Sequence, residues 1–444
     1  MNYNHEAREK RSTKYQPLPE KLLLKNAHVV DAALDIDEKQ DVLIQNGVIE
    51  SVGKIPADGF DGIVEDLQGK VLSPGWMDMH VHLREPGRED EETVESGSLA
   101  AANGGFTAVC CMPNTTPAID SQEIIQYIID RAKGSLVNVH PVAAITKHRD
   151  GNELAEILDL VEQGAVAISD DGDPVMSAGI MRRALEYSKM VDIPILGHEE
   201  DKTMTEEGHM HEGFWSTRWG IGGIPSIAED VMIARDIMLA EYTGGRFHVQ
   251  HIATKGGVDL VRQAKAKGIS VTAEACTHHF TLTDEAVKNY DTNAKMKPPL
   301  RGADDVAAIL EGLKDGTIDV IATDHAPHSW EEKASEFIYA PFGIVGLETA
   351  MGLSITQLLK PGILDLKSMI AKLTVHPYRI LRLEVPVIQK GKAANITIFD
   401  PAATWKFDVK RSLSKSTNTP FNGWELTGKP HKVIHNGLFF ESVL

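Results

Sequence analysis

The stretch Met77-Asp78-Met79-His80-Val81-His82 is a short apolar run that ends in two histidines, and it is the first of eight such runs in the chain. Runs of this length, bounded by polar residues, are typical of buried strands. The other seven are Thr107–Met112, Val137–Ile145, Ala165–Ser169, Pro194–His198, Arg246–Ile252, Ile269–Ala275 and Asp319–Thr323.

Longer amphipathic segments separate most of these runs, and each has the spacing of apolar residues that a helix needs. Eight strands, each followed by a helix, close into a (β/α)8 barrel, so the sequence predicts an α/β fold of the TIM-barrel type. The helical segments are Gln122–Ala132, Glu153–Gln163, Ala178–Met190, Ile227–Tyr242 and Val258–Lys267, with Leu347–Leu359 in the place that follows the eighth strand.

Both ends of the chain change to a strand-like pattern. Leu22–Val30 has strand character, and Asn46-Gly47 is a strong hairpin signal between two short apolar segments. Strand character returns in Ala393–Asp400 and Lys432–Gly437. We expect the two ends to pair into one small composite β domain beside the barrel, with two independent end caps as the alternative.

The predicted domains follow from this change of pattern. Residues 75–383 form the barrel, and residues 21–74 together with residues 384–444 form the composite β domain. Residues 1–20 mix charged and polar side chains with little to bury, and we expect them to be a flexible tail.

Composition restricts the possible partners. The 444 residues carry a formal net charge of −19, which repels phosphate backbones and makes nucleic acid an unfavourable partner. No apolar stretch is long enough to cross a bilayer, and the first residues lack the apolar core of a signal peptide. The sequence therefore predicts a cytoplasmic protein that acts on a small molecule.

Metal-ligating side chains recur where the predicted strands end. His80 and His82 are two residues apart on a strand, so their side chains point to the same face. Predicted strands five, six and eight end at His198, His251 and Asp324. Because barrel enzymes place their sites at this rim, and imidazole and carboxylate are zinc ligands, we expect a metal site here.

A pair of metal ions also needs a bridging anion, which should come from the fourth strand. That strand contains no lysine, so a carbamylated lysine is excluded, and Asp170 and Asp171 are both candidates. Asp324 could serve as a ligand, as a proton shuttle, or as both. Arg84 and Asn114 follow the first two strands, and together they could bind a substrate carboxylate through hydrogen bonds.

Two segments resemble the signatures of the dihydroorotase family. They are Pro74–Gly87, which continues from the histidine pair into Leu-Arg-Glu-Pro-Gly, and Ala322–His328. The related hydantoinases and allantoinases share the histidine pair but usually lack that continuation. The resemblance extends from about Leu22 to the C-terminus. It implies zinc-dependent, reversible cyclisation of N-carbamoyl-L-aspartate to L-dihydroorotate, a step of de novo pyrimidine biosynthesis.

The resemblance also implies roles for individual residues. His80, His82 and Asp324 would hold one zinc ion, and His198 and His251 a second. Asp171 would take the place of the bridging lysine, which marks a class I branch of the family. One or two zinc ions would activate a hydroxide, and Asp324 would carry the proton to the leaving ring nitrogen. The substrate would contact Arg84, Asn114, His328 and the backbone at Phe342 and Gly343, and a homodimer is implied.

One departure from the family concerns the ring pocket. Relatives often have asparagine in the stretch that includes Lys297 here, so we expect Lys297 to be a further substrate contact. Two alternatives remain open from the sequence. One is another cyclic amidase, of the hydantoinase, dihydropyrimidinase or allantoinase type, and the other is a catalytically inactive scaffold.

Overall fold

The computed structural model describes residues 15–205 and 207–444. Within them lie an eight-stranded parallel sheet and a nine-stranded sheet built from both ends of the chain. Six strands precede the parallel sheet: β1 Gln16–Pro17, β2 Lys21–Asp31, β3 Ile36–Gln45, β4 Val48–Gly53, β5 Ile63–Asp66 and β6 Val71–Pro74.

The turn between β3 and β4 has the conformation that its sequence predicts. Asn46 and Gly47 adopt φ angles of 51° and 76°. Two successive positive φ angles match the twist of the flanking strands, and asparagine and glycine tolerate them at the lowest cost.

The barrel consists of parallel strands in consecutive order around the sheet. It closes where His82 N–H donates to the carbonyl of His325 at 2.8 Å. Each predicted run overlaps one of the strands, with ends shifted by a few residues. The strands are β7 Trp76–Val81, β8 Phe106–Cys111, β9 Asn138–Ala143, β10 Ala167–Ile168, β11 Ile195–Gly197, β14 Phe247–Val249, β15 Val271–Cys276 and β16 Val320–Ala322, while β12 Met210–His211 pairs with β13 Gly223–Ile224 outside the barrel.

Helices follow the barrel strands. The predicted segment Leu347–Leu359 becomes helical only from Ala350 and ends in a wider π-type turn. The helices are α1 Val94–Gly104, α2 Gln122–Arg131, α3 Ile157–Gln163, α4 Ala178–Met190, α5 Lys202–Thr205, α6 Phe214–Trp219, α7 Ile227–Thr243, α8 Lys255–Ala266, α9 Ala303–Asp315, α10 Trp330–Lys333, α11 Ala350–Ser354, α12 Leu366–Leu373 and α13 Val375–Ile380.

The C-terminal strands complete the terminal sheet: β17 Ile396–Lys406, β18 Glu425–His435 and β19 Leu438–Glu441. Strand β17 pairs antiparallel with β6, with Val71 opposite Phe399, so the two chain ends share one sheet. The predicted (β/α)8 barrel with a composite β domain is confirmed, and the alternative of two independent end caps is wrong. Residues 1–14 of the predicted tail lie outside the described residues. The rest of the predicted tail, residues 15–20, includes β1, which pairs with β19.

A buried aromatic group joins the two parts of the fold. The ring of Trp76 meets Phe106 of the barrel at 6.1 Å and Phe399 of the terminal sheet at 5.3 Å, edge to face in both cases. Its indole N–H donates to Ser73 Oγ at 3.0 Å, so burial leaves no polar atom of the ring unpaired. The start of the first barrel strand is therefore fixed against both sheets.

Across residues 15–205 and 207–444, no helix combines the length and apolar character that a membrane crossing requires.

Candidate metal centre and active site

Six side chains from five barrel strands converge at one rim of the barrel. His80 is the next-to-last residue of its strand, and the other five lie one to three residues beyond the carboxyl ends of theirs. Parallel strands bring these ends together. All six are less than one-tenth exposed. They are His80, His82, Asp171, His198, His251 and Asp324.

Asp171 lies at the centre of this group. Its Oδ1 is 3.4 Å from the nearest ring nitrogens of His80, His198 and His251, and its Oδ2 is 3.4 Å from His82 Nε2. This carboxylate faces all four imidazoles, which is the position expected of a ligand that bridges two metal ions.

The neighbouring Asp170 points elsewhere. Its side chain accepts hydrogen bonds from the backbone of Ile145 at 2.8 Å and of Thr146 at 3.0 Å. Burial outweighs these bonds and raises the pKa of Asp170 to about 6. Of the two candidates on the fourth strand, only Asp171 reaches the histidines, while Asp170 holds the end of the third strand.

Asp324 completes one side of the group. Its Oδ1 lies 2.9 Å from His82 Nε2 and 3.5 Å from His80 Nε2. Within this group of six, two sets of three side chains bring their ligand atoms within 4.8 Å of one another, so either set could hold a metal ion. The sets are His80, His82 and Asp324, and His80, Asp171 and His251.

Unpartnered buried atoms provide a test of whether these residues fit a metal. His80 Nε2 and Asp171 Oδ1 make no hydrogen bond within the described part of the chain, although both are fully buried. Leaving such atoms unsatisfied costs roughly 1–3 kcal/mol each, so each requires an explanation. Both face the same space, and imidazole nitrogen with carboxylate oxygen is the donor set that zinc prefers. The site therefore fits a metal ion.

The electrostatics also favour a cation. Burial opposes charge on the His80 ring, but Asp171, Asp324 and Glu274 outweigh it and raise the pKa of His80 well above its usual value. Conversely, and against the effect of burial, the rings led by His80 hold the pKa of Asp171 and of Asp324 well below the usual range. Both carboxylates stay ionised at neutral pH, so the group attracts positive charge.

Two of the six residues have an unusual backbone. His251 adopts φ 32° and Asp324 φ 46°, a region that few residues other than glycine occupy. Such strain persists where surrounding structure enforces it, and it is concentrated at functional sites. It aims both side chains into the group after short barrel strands.

Arg84 lies near enough to Asp324 and Asp171 to interact with their charges, and it also contacts His328. Its Nη2 is 3.2 Å from His328 Nε2, and its Nε donates to the carbonyl of Pro327 at 3.0 Å. Behind it, Glu91 lies 3.3 Å from Arg84 Nε and 2.9 Å from His328 Nδ1. A buried carboxylate thus holds both side chains in place.

Asn114 makes a contact that the sequence did not indicate. Its amide oxygen lies 2.7 Å from His82 Nδ1, the nitrogen on the far side of the ring from Asp324. Asn114 therefore orients His82 from behind, whatever else its amide nitrogen binds.

The Phe342 loop packs against His328. The carbonyl of Phe342 is 2.8 Å from His328 Nε2, and Gly343 N–H donates to the Lys295 carbonyl at 2.9 Å. Gly343 has φ 155°, and a Cβ there would stand 2.6 Å from the His328 ring, so only glycine fits.

Lys297 pairs with an acid next to the metal group. Its Nζ is 2.9 Å from Glu200 Oε1 and 5.4 Å from the centre of the Phe342 ring. Glu200 Oε2 lies 3.4 Å from His198 Nε2. Glu200 therefore joins Lys297 to a histidine of the group.

Two further carboxylates had no role in the sequence analysis. Glu91 and Glu274 are buried and contact Arg84 and His80, respectively. Glu274 interrupts the apolar seventh run between two alanines, and a carboxylate at that position was the available signal. No comparable signal marks Glu91, which follows several other acids in a polar loop.

Comparison with known proteins identifies the family. The sequence profile described as dihydro-orotase-like matches residues 69–257. A dihydroorotase from Pelotomaculum thermopropionicum is 52% identical over 418 residues, which is 94% of this chain and 97% of the relative. The chain belongs to the dihydroorotase family. A second dihydroorotase, from Acetivibrio thermocellus, is 47% identical over 417 residues, 94% of this chain and 98% of the relative.

Solved structures support the fold of this dihydroorotase family member. The L-hydantoinase (dihydropyrimidinase) from Arthrobacter aurescens superposes with a TM-score of 0.85 at 23% identity, covering 95% of this chain and 96% of that one. The dihydropyrimidinase from Brevibacillus agri gives 0.83 at 21% identity, covering 95% of each chain. At this identity the likeness concerns the barrel and its terminal sheet.

Proposed function

We propose that the protein is a zinc-dependent dihydroorotase that interconverts N-carbamoyl-L-aspartate and L-dihydroorotate. The observation that carries the proposal is that Arg84, which contacts His328, lies near enough to Asp324 and Asp171 of the four-histidine, two-aspartate group to interact with their charges. A site that cleaves a cyclic amide and also recognises a carboxylate needs both features next to each other. Relatives about half identical over nearly the whole chain are named dihydroorotase, which agrees with this choice.

The proposed metal is zinc, as one or two ions. His80, His82 and Asp324 would hold one ion, His198 and His251 the other, and Asp171 would contact both. Zinc bound there would lower the pKa of a water molecule and polarise a carbonyl group of the substrate.

Asp324 is the proposed acid and base. The His80 and His82 rings overcome the effect of burial and keep the pKa of Asp324 low, so the carboxylate is ionised and can accept a proton. In hydrolysis it takes a proton from the attacking water and delivers it to the ring nitrogen as the amide bond breaks. In cyclisation it takes the proton from that nitrogen as the C–N bond forms and returns it to the substrate's carboxylate oxygen, which departs as hydroxide.

Substrate orientation would come from the two sides of the pocket. Arg84 binds the carboxylate with paired N–H groups, assisted by His328 and the amide nitrogen of Asn114. On the other side Lys297 donates to a ring carbonyl oxygen. The backbone at Phe342 and Gly343, next to His328, borders the ring. Glu91 and Glu200 orient Arg84 and Lys297 for these contacts.

A substrate comparison tests the proposal. Purified protein with added Zn²⁺ is given L-dihydroorotate, dihydrouracil, hydantoin and allantoin, and ring opening is followed for each. We expect turnover of dihydroorotate to exceed that of the other rings by at least tenfold. Faster turnover of a ring without a carboxylate would assign a different cyclic amidase, and no turnover of any ring would support an inactive scaffold.

The proposal includes the setting of the enzyme. It would be a cytoplasmic homodimer that acts on a small molecule and binds no nucleic acid. The proposed domain limits are residues 75–383 for the barrel and residues 21–74 with 384–444 for the composite β domain.

A further inference from the structure

The histidines of the metal group differ in what holds the ring nitrogen that faces away from the centre. His80 Nδ1 lies 2.6 Å from Glu274 Oε1, and His82 Nδ1 lies 2.7 Å from the amide oxygen of Asn114. His198 Nε2 lies 3.4 Å from Glu200, while His251 Nδ1 has no partner within the described residues. Among these four histidines, only His80 has a carboxylate within 3 Å of the nitrogen that faces away from the centre.

Glu274 is itself held on its other side. It lies on β15, is fully buried, and its Oε2 is 3.2 Å from His248 Nε2. His248 Nδ1 is 2.8 Å from Thr272 Oγ1. These groups come from three strands, β7, β14 and β15, and form a chain of hydrogen bonds inside the barrel.

One arrangement of protons satisfies the whole chain. The Thr272 hydroxyl donates to His248 Nδ1, His248 Nε2–H donates to Glu274, and His80 Nδ1–H donates to the other Glu274 oxygen. The amide nitrogen of Gln250 is also 3.2 Å from His80 Nδ1, but the carboxylate contact is far shorter and requires the proton on Nδ1. The lone pair of His80 is thereby directed from Nε2 towards Asp171 and Asp324.

We propose that Glu274 is a positioning residue of the metal centre: it fixes the tautomer and orientation of His80 and makes Nε2 a stronger ligand. This inference rests on the proposed function, because it takes His80 as a zinc ligand. Carboxylates behind ligating histidines act in this way generally, and their loss lowers metal affinity about 10–100-fold. A purely structural role for Glu274 would affect folding and leave the affinity of the folded protein unchanged.

The first test is Glu274→Gln with Zn²⁺ in competition with a chromophoric chelator. Glutamine keeps the volume and one acceptor oxygen but removes the charge. We expect zinc affinity to fall about 10–100-fold. At saturating Zn²⁺ we expect kcat for dihydroorotate to fall, with KM within about twofold of the parent, since the substrate contacts are unchanged.

Glu348→Gln is the matched control. Glu348 is also a buried carboxylate and bonds Asn103 and the backbone of Leu413, with no contact to a ring of the metal group. We expect the zinc affinity of the Glu348→Gln protein to equal that of the parent. Glu274→Asp keeps the charge but moves it away from His80, so its zinc affinity should lie between those of the parent and Glu274→Gln.

A second readout uses the parent protein and does not depend on any variant folding. In zinc-loaded protein with ¹⁵N-labelled histidine, we expect the His80 proton on Nδ1, shifted downfield by its carboxylate partner. A parent His80 protonated on Nε2 would overturn the proposal, as would a folded Glu274→Gln protein with unchanged zinc affinity. If the parent binds zinc but does not open dihydroorotate, the proposed function fails while the affinity test of Glu274 still stands.

Discussion

Asp324 Oδ1 lies 2.9 Å from Nε2 of His82, although the two residues are 242 positions apart in the chain. The first and last strands of the barrel are neighbours, and their carboxyl ends deliver the two side chains to one point. This contact closes the metal group and sets the position of the proposed proton carrier.

Asp324→Asn should keep the fold and lose nearly all turnover. An amide cannot accept the proton of the attacking water, and general-base steps of this kind contribute about 10²–10⁴-fold. The measurement is kcat for dihydroorotate at saturating Zn²⁺, with circular dichroism to verify folding. Asp319→Asn, at the opposite end of the same strand, is the control and should retain turnover. A rate near the parent's for Asp324→Asn would remove Asp324 from the mechanism.

Replacing Arg84 should affect recognition of the carboxylate. Arg84→Met removes hydrogen bonds to a charged group worth about 1.5–3 kcal/mol, so KM for dihydroorotate should rise roughly 10–100-fold. Arg84→Lys should recover only part of this, because lysine lacks the paired N–H geometry. Any slow turnover of dihydrouracil, which has no carboxylate, is the internal control and should be unaffected. An equal loss with both rings would argue against the carboxylate contact.

Lys297 and Glu200 should act as a pair. We expect Lys297→Met to raise KM for dihydroorotate about tenfold through loss of one charge-assisted hydrogen bond. Glu200→Gln should have a smaller effect on KM. Because the two residues are in contact, the double variant should lose less catalytic efficiency than the sum of the two single losses, expressed as free energies. The measurement is a double-mutant cycle on kcat/KM. Strict additivity would show that the 2.9 Å ion pair does not couple them.

Glu348 should make stability depend on pH. Burial raises the pKa of Glu348 to about 7, so between pH 4.5 and 7 the folded protein binds a proton that the unfolded chain has released. Stability from this group is therefore fully present below pH 4.5 and falls as the pH rises to about 7. Glu348→Gln has no group that loses stability in this way. Between pH 5 and 8 its free energy of unfolding should therefore rise relative to that of the parent, by on the order of 3 kcal/mol. Denaturant unfolding at both pH values measures this, and parallel curves for the two proteins would contradict it.

The barrel and the ligand candidates could be predicted because both depend on local pattern. Short apolar runs indicate the strands, and polar residues at their ends must meet, since parallel strands share a rim. For that reason His80, His198 and Asp324 could be grouped without a structure.

The supporting contacts could not be predicted, because they depend on how distant loops meet. Asn114 ends the second strand, and nothing local indicates that its oxygen turns to His82. Glu91 lies in a loop with other acidic residues, and only the folded structure shows that it is the one that contacts Arg84. Spacing alone left Asp170 and Asp171 equivalent, and the structure separates them because one faces Thr146 and the other the histidines.

The central claim is that metal bound by this group of residues opens the ring of dihydroorotate. The most direct measurement is dihydroorotate turnover by the parent protein after chelation and dialysis, followed by stepwise return of Zn²⁺. We predict that chelation abolishes turnover and that one to two equivalents of Zn²⁺ per chain restore it, while His80→Asn protein stays inactive at the same zinc concentrations. Full turnover in the chelated protein, with no zinc bound, would contradict the account.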